Sequence, residues 1–247
     1  MLNSISTTLS RQVALQSQMD MVANNIANMS TPGFRGQSMV FKEYVNNPPL
    51  SAGKENPSDN LSQVEDYGQY HDTSQGPLQK TNNPLDVAIQ GPGWFGVQTG
   101  SGIRYTRDGS FSMDAQGDLT DSTGQKIATA GGGSIVIPPN SQYVKITQSG
   151  QVMTERGSIG QLMVVGFASE QDMIAQGNGL YDNTTDQPTP VTNPSVIQGA
   201  LEGSNVNPVL EMTKMLNVSR AYESTMQMMS DEHDREKSMI EQLTSNN

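Results

Sequence analysis

Hydrophobic positions recur along this chain in different patterns at its ends and in its middle. Over the first thirty residues Leu2, Ile5, Leu9, Val13, Met19, Ala23 and Ile26 recur at roughly three- and four-residue steps, the apolar stripe of an amphipathic helix. Pro32-Gly33 stops it. Near the other end Met215, Val218, Tyr222, Met226, Met229, His233, Ile240 and Leu243 continue one stripe, interrupted at Glu236 or Lys237. Ser204, Asn205 and Asn207 are N-cap candidates before it, and Pro208 suits a first helical turn. No Gly or Pro follows Pro208. The spacing predicts a helix about 50–55 Å long, a length that suggests a coiled coil.

Between the two stripes the pattern changes. Residues 36–80 are polar and broken, and "NNPPLSAGKENPSDN" has loop composition. From 85 to 200, short runs such as "LDVAI", "GWFGVQ", "IRYTR", "SIVI", "YVKIT" and "QLMVVGFA" alternate or stay apolar over a few residues. Turn clusters such as "QGPG", "TGSG", "DAQG" and "DSTG" separate them, an all-β pattern with hairpins. Each terminal stripe must be covered by something. The economical arrangement packs the two ends on each other, with the β section looped out between them and part of the stripe left for neighbouring copies. The expected fold class is therefore α+β, with paired N- and C-terminal helices forming a coiled-coil-like domain and a central all-β domain inserted between them.

Composition narrows the function. The 247 residues can bury a sizeable core without disulfides, and there is no cysteine. Thiolate metal sites and thiol nucleophiles are thereby excluded. The net charge of −11 disfavours non-specific nucleic-acid binding. That charge is uneven, with residues 1–35 at +1 (Arg11, Arg35, Asp20) and the acidic bulk in the middle. The longest apolar run, "LMVVGFA" at 162–168, is far too short to span a bilayer, so no membrane insertion is expected. The start "MLNSISTTLSRQVALQ" lacks the basic, apolar and small-residue regions of a cleavable signal.

Four stretches carry a resemblance. They are "ANNIANMSTPGFR" (23–35), "NPLDVAIQGPGWFGVQT" (83–99), "RYTRDGSFSMDAQGDLTDSTG" (104–124) and "LEGSNVNPVLEMTKMLNVSRAYE" (201–223). Together, in this order, they resemble the flagellar rod and hook family of bacterial axial proteins, most nearly its proximal-rod type, with the distal-rod type as the rival. The resemblance implies a non-enzymatic building block without cofactor, metal or catalytic residue. It implies export through the flagellar type III apparatus without a cleaved signal, and helical polymerisation in the periplasm. The implied partners are copies of itself, neighbouring proximal-rod subunits and distal-rod subunits, in an assembly that transmits torque. Residues 1–35 and 205–247 would form the inner helical domain (D0), 36–82 a linker or extended region, and 83–204 the outer β domain (D1).

The subunit interface expected on these grounds combines two sets. The helical stripes supply Leu2, Ile5, Leu9, Ile26, Val218, Tyr222, Met226 and Met229. The family motifs supply Asn24, Asn25, Asn28, Gly33, Phe34, Asn205 and Arg220, with Tyr222 common to both. The three asparagines have two readings. Buried amides could fix register between subunits, as a polar residue does in a coiled-coil core. Alternatively Asn28 caps the helix in the left-handed conformation and the other two face solvent. Met226, Met228 and Met229 suit core filling or adaptable contacts between subunits.

Candidate chemistry changes this picture little. "RDGSF" (107–111) has the look of a hairpin turning at Asp108-Gly109, and nothing nearby completes a catalytic site around Arg107 and Asp108. Trp94 reads as an anchor of the β core. Asp114, Asp118 and Asp121 miss the spacing of a helical calcium loop. His71 and His233 lie far apart and lack zinc-ligand spacing. A cell-wall enzyme on a β scaffold would require paired carboxylates or a metal triad in a cleft. A carbohydrate-binding β module would require several exposed aromatics, and aromatics are 5% of this chain.

Overall fold

The structure, a computed structural model, describes residues 2–46, 61–139 and 141–245. Its fold is α+β, with an N-terminal helix, a β-rich centre and a C-terminal helix. The chain packs as two units. One comprises Met1–Ala27, Gln37–Tyr70 and Asn207–Asn247, and the other Asn28–Gly36 and His71–Val206. We call them the helical unit and the β unit.

The helical unit contains α1 (Leu2–Ala27), β1 (Gln37–Asn46), most of β2 (Leu61–His71) and, at the chain's other end, α2 (Pro208–Ser245). Two pairs of side chains join the helices. Gln12 Nε2 donates to Tyr222 Oη at 3.1 Å and Asn25 Nδ2 to Glu211 Oε2 at 3.1 Å. Position along α1 therefore rises as position along α2 falls, so the helices run antiparallel. Asn207 caps α2, its Oδ1 accepting the N–H groups of Val209 (3.1 Å) and Leu210 (3.2 Å), with Pro208 in the first turn as its fixed φ favours. Residues 36–80, loop-like in overall composition, hold β1 and β2, which pair with each other. The β-branched and aromatic residues Val40, Phe41, Tyr44 and Val45 explain β1, since such residues suit a pleated strand.

α1 does not end on a left-handed asparagine. Among the described residues only Asn82 and Asn178 have positive φ without being glycine. Asn28 instead accepts the N–H of Thr31 at its carbonyl (3.1 Å) and the Thr31 hydroxyl at Oδ1 (3.2 Å). The left-handed position is Gly33, at φ +67°, and a Cβ there would collide with the backbone of Arg107 and Asp108. Glycine is required twice over, by conformation and by space.

The β unit is built from β3 (Leu78–Lys80), β4 (Val87–Ile89), β5 (Trp94–Thr99), β6 (Gly102–Thr106), β7 (Ser112–Met113), β8 (Leu119–Thr120) and β9 (Lys126–Ile127). There follow β10 (Lys145–Ile146), β11 (Gln151–Thr154), β12 (Gly157–Gln161), β13 (Val164–Gly166), β14 (Ile174–Gly177), β15 (Leu180–Asp182), β16 (Thr189–Pro190), β17 (Val196–Gln198) and β18 (Ala200–Glu202). β5 is the central strand. It pairs antiparallel with β6 on one edge, and with β13 at its start and β9 at its end on the other. Because side chains alternate across a strand, β5 serves two cores. Phe95 and Val97 enter the larger, with Val87, Ile89, Leu119, Ile127, Ile135, Leu162 and Val164. Trp94 enters the smaller, with Tyr105, Val165, Met173 and Tyr181.

The clusters read as turns at 114–117 and 121–124 are turns of one construction. An aspartate Oδ1 accepts the N–H two residues on, at 2.9 Å from Gln116 and from Thr123. The segment 107–111 differs from its sequence expectation. β6 and β7 are not partners, because β6 pairs with β5 and β15, and β7 with β8. Asp108 Oδ1 instead accepts the Ser110 N–H at 2.9 Å, and Gly109 is pressed against the Val87 carbonyl, leaving no room for a side chain.

Gly33→Ala combines a left-handed alanine, about 1–2 kcal/mol, with a backbone collision that costs about 1–3 kcal/mol more. Gly124→Ala, at φ +83° with nothing within 4 Å of its Cβ, carries only the first cost. Thermal melts of the two variants should therefore show the larger loss at Gly33; equal losses would mean the close approach is not real.

Candidate functional site

In the helical unit the buried positions of α2 recur every seven residues, at Glu211, Val218 and Thr225. On α1 the buried positions among the described side chains are Met21, Val22 and Asn25. The stripe that stands out in the sequence is on a different face. Leu9 and Val13 are 52% and 59% exposed, and Ala23 is exposed as well. α2 also exposes apolar side chains, with Val209 at 75%, Leu216 at 59% and Met228 at 60%, beside Leu210, Met212, Met226 and Ile240. An uncovered apolar surface spread over both helices is a feature of proteins with a partner.

Asn25 is held inside its own unit. Its Oδ1 accepts the Gln37 N–H (3.0 Å), and its Nδ2 donates to the Gln37 carbonyl (2.8 Å) and to Glu211. The amide thus pairs with the first residue of β1 as a neighbouring strand would. Glu211 is buried beneath it, and its other oxygen takes Lys214 Nζ at 2.6 Å.

In the β unit the segment 33–36, which follows α1, meets the segment 202–205, which precedes α2. The Gly33 N–H donates to the Glu202 carbonyl (2.8 Å) and the Asn205 N–H to that of Phe34 (3.3 Å). The Glu202 carboxylate, 1% exposed, stands between two buried guanidinium groups. Arg35 Nη2 lies 3.2 Å from Oε1 as an ion pair without hydrogen-bond alignment, and Arg107 Nη1 donates to Oε2 at 3.2 Å. The Gly76 N–H donates to Oε1 at 3.2 Å. Arg107 also donates from Nη2 to the Gly91 carbonyl (2.8 Å) and lies 5.6 Å from the Trp94 ring centroid. Burial pulls the Arg107 pKa down, and the Glu202 charge opposes that shift. The Tyr181 phenol, whose ring meets Trp94 edge-on at 5.0 Å between centroids, is pushed up by burial. Among the described residues no cluster of His, Asp and Glu could hold a metal ion, and no helix is long and apolar enough to cross a membrane.

Three family descriptions match separate stretches. "Flagella basal body rod protein" covers residues 5–35, "Flagellar hook protein FlgE/F/G D1 domain" covers 88–154, and "Flagellar basal body rod FlgEFG protein C-terminal" covers 197–243. A flagellar basal-body rod protein FlgF of Caulobacter vibrioides is 37% identical over 242 residues, 98% of each chain. The chain belongs to the flagellar basal-body rod protein family. Another FlgF, from Mesorhizobium japonicum, is 35% identical over 93% of this chain and 92% of its own. A flagellar basal-body rod protein FlgG of Buchnera aphidicola is 36% identical over 85% of this chain and 88% of its own. These are structural proteins of the flagellum, not enzymes, and the family places the chain in the basal-body rod.

Against this family background the expected interface residues separate into groups. Leu9, Asn24, Arg220 and Met226 are exposed, and Ile26, Asn28, Tyr222 and Met229 are half-buried. Asn25 and Val218 are buried within the helical unit. Gly33, Phe34 and Asn205 belong to the β unit. The side chains of Leu2 and Ile5, and of Leu243 on the second stripe, lie outside the described residues. Sequence reasoning missed Arg35, Glu202 and Glu211. All three stand inside the quoted motifs, so the available signal was a charged residue next to motif glycines and asparagines. Arg107 was weighed against Asp108, its neighbour in sequence, whereas its carboxylate partner is 95 residues away.

Asn25→Ala strands the Gln37 backbone and one Glu211 oxygen, so it should destabilise the helical unit by about 2–3 kcal/mol in urea unfolding followed by circular dichroism. A loss below about 0.5 kcal/mol, the usual range for an unremarkable surface change, would contradict the pairing. His71 is buried against Tyr181, with ring centroids 6.2 Å apart, and burial lowers its pKa. Its neutral form is favoured when folded, so the unfolded chain binds the proton first as pH drops. The stability contribution is complete above the unfolded value near 6.5 and declines as pH falls from there toward the folded value. His71→Phe should flatten that part of the stability–pH curve relative to the parent; superimposable curves would remove His71 as the cause.

Proposed function

We propose that this chain is a FlgF-type subunit of the rod, polymerising through its terminal helices between proximal and distal rod and passing torque along the assembly. The observation that carries the proposal is the apolar surface that α1 and α2 leave uncovered. Leu9, Val13, Val209 and Leu216 are each more than half exposed, a cost in water that neighbouring subunits remove. The seven-residue recurrence of buried positions on α2 supports coiled-coil-like packing of the two helices. D0 is then drawn from the expected 1–35 and 205–247, its helices in the helical unit and its inner ends, 28–35 and 205–206, in the β unit, with 36–82 as an extended region and 83–204 as D1. The full-length FlgF relatives favour the proximal type, with the FlgG type as the alternative. The partners are further copies, neighbouring rod subunits including FlgG-type ones, and the flagellar type III export apparatus. Delivery is to the periplasm.

Leu9→Glu combined with Leu216→Glu should leave helix content unchanged in the isolated protein and abolish both rod incorporation and swimming. Deleting 225–247, which removes the C-terminal half of α2, should likewise abolish rod incorporation and swimming with the β unit still folded. Wild-type swimming from either variant would refute the helical interface. Because the chain has no cysteine, Leu216→Cys is a unique crosslinking handle. Its adducts in cells with proximal-rod and FlgG-type neighbours together would support the FlgF assignment, and adducts with hook subunits would overturn it.

A further inference from the structure

The chain passes between its two units at 27/28, 36/37, 70/71 and 206/207. Residues beside three of these passes, all within the β unit, form one closed ring of hydrogen bonds. The Gly36 N–H donates to Asn205 Oδ1 at 2.7 Å, Asn205 Nδ2 donates to the Asp72 carbonyl at 2.8 Å, and the Asp72 N–H donates to the Gly36 carbonyl at 2.8 Å. The second Asn205 Nδ2 hydrogen goes to the Ser74 carbonyl at 2.9 Å.

A side-chain amide has the same donor and acceptor as a peptide group. The Asn205 side chain therefore completes a ladder between Gly36 and Asp72 that the backbone alone leaves open on one side. The residue belongs to neither apolar core and is half-buried. Apart from a longer contact of Nδ2 with Ser74 Oγ at 3.4 Å, its side-chain hydrogen bonds go to backbone groups near chain passes. Aspartate at the same position would keep the acceptor for Gly36 and lose both donors, and it would set an anionic oxygen against two carbonyls.

We propose that Asn205 is a coupling residue, whose amide joins three chain passes into one cross-section so that force arriving along any of them is shared by all. The ring itself is independent of the proposed rod function; the load it shares rests on that reading. Because each side of the ring is a hydrogen bond to the next segment, a pull on one segment strains all three sides together.

The test uses the full-length chain with Asn205→Asp and Asn205→Ala. Hydrogen exchange should speed up at least tenfold in peptides covering residues 34–37 and 71–75. Protection in β5 and β6 and the thermal midpoint should stay near the parent values. In cells the variants should enter rods and swim in dilute medium, yet stall in viscous medium where the parent still swims. Unchanged exchange at Gly36 and Asp72 would overturn the ring. Faster exchange with parent-like swimming in viscous medium would overturn the load sharing. Loss of protection throughout the β unit would also overturn the proposal, making Asn205 a folding residue. Failure of the rod reading is separately visible, as absence of the parent protein from purified basal bodies.

Discussion

The Glu202 carboxylate is the interaction on which the β unit's closure depends. A buried charge costs several kcal/mol unless it is paired and hydrogen-bonded. Here one carboxylate receives Arg35 from the segment after α1, Arg107 from the end of β6 and the Gly76 N–H from a third loop. Those three elements are far apart in sequence and have no apolar side chain in common among the core residues. Their common tie is charge, and it is directional where apolar contact is not. Gly33 and Gly76 belong to the same constraint. Each is pressed so close to a neighbouring backbone that a Cβ would collide, Gly33 with Arg107–Asp108 and Gly76 with the Gly203 carbonyl. The charged cluster can close because the glycines let the backbones approach.

A second device recurs around it. Three side-chain amides behave as backbone substitutes. Asn25 pairs with both polar groups of Gln37, Gln171 with both of His71, and Asn205 bridges Gly36 and Asp72. Each sits at the start or finish of the β1–β2 ribbon, where a ladder would otherwise leave open groups. An amide costs little to desolvate when every donor and acceptor is met. Asparagine weakens the last turns of α1 as a helix former. Its presence there is explained by what it supports next to the helix, in the case of Asn25 the first residue of β1.

Much of the architecture was legible because it follows from periodicity. The two helices, the cap at Asn207 with Pro208 behind it, the aspartate turns and Trp94 as a core anchor all rest on local patterns of a few residues. The strands β1 and β2 were obscured by polar residues around them, since strand formation depends on a partner that composition does not reveal. "RDGSF" misled because Asp-Gly fits a hairpin and also fits a tight pass under a neighbouring carbonyl. The site was harder still. A stripe of apolar residues tells that a face exists but not which neighbour covers it, and the Leu9–Val13 face proves to be the one left open. Arg35, Arg107 and Glu202 are ordinary charges in sequence; their pairing is a property of the folded chain only.

α2 is longer than α1 by 12 residues, 38 against 26. Since Asn25 lies beside Glu211, the surplus is at the C-terminal end of α2 and amounts to about 18 Å. A pair of rods with one end flush and the other notched has a distinguishable top and bottom. Copies laid together like staggered bricks leave a recess at one end of the pile and a protrusion at the other. Under the proposed assembly, growth of such a pile takes its direction from the antiparallel helix pair, whose flush end is marked by Asn25 and Glu211.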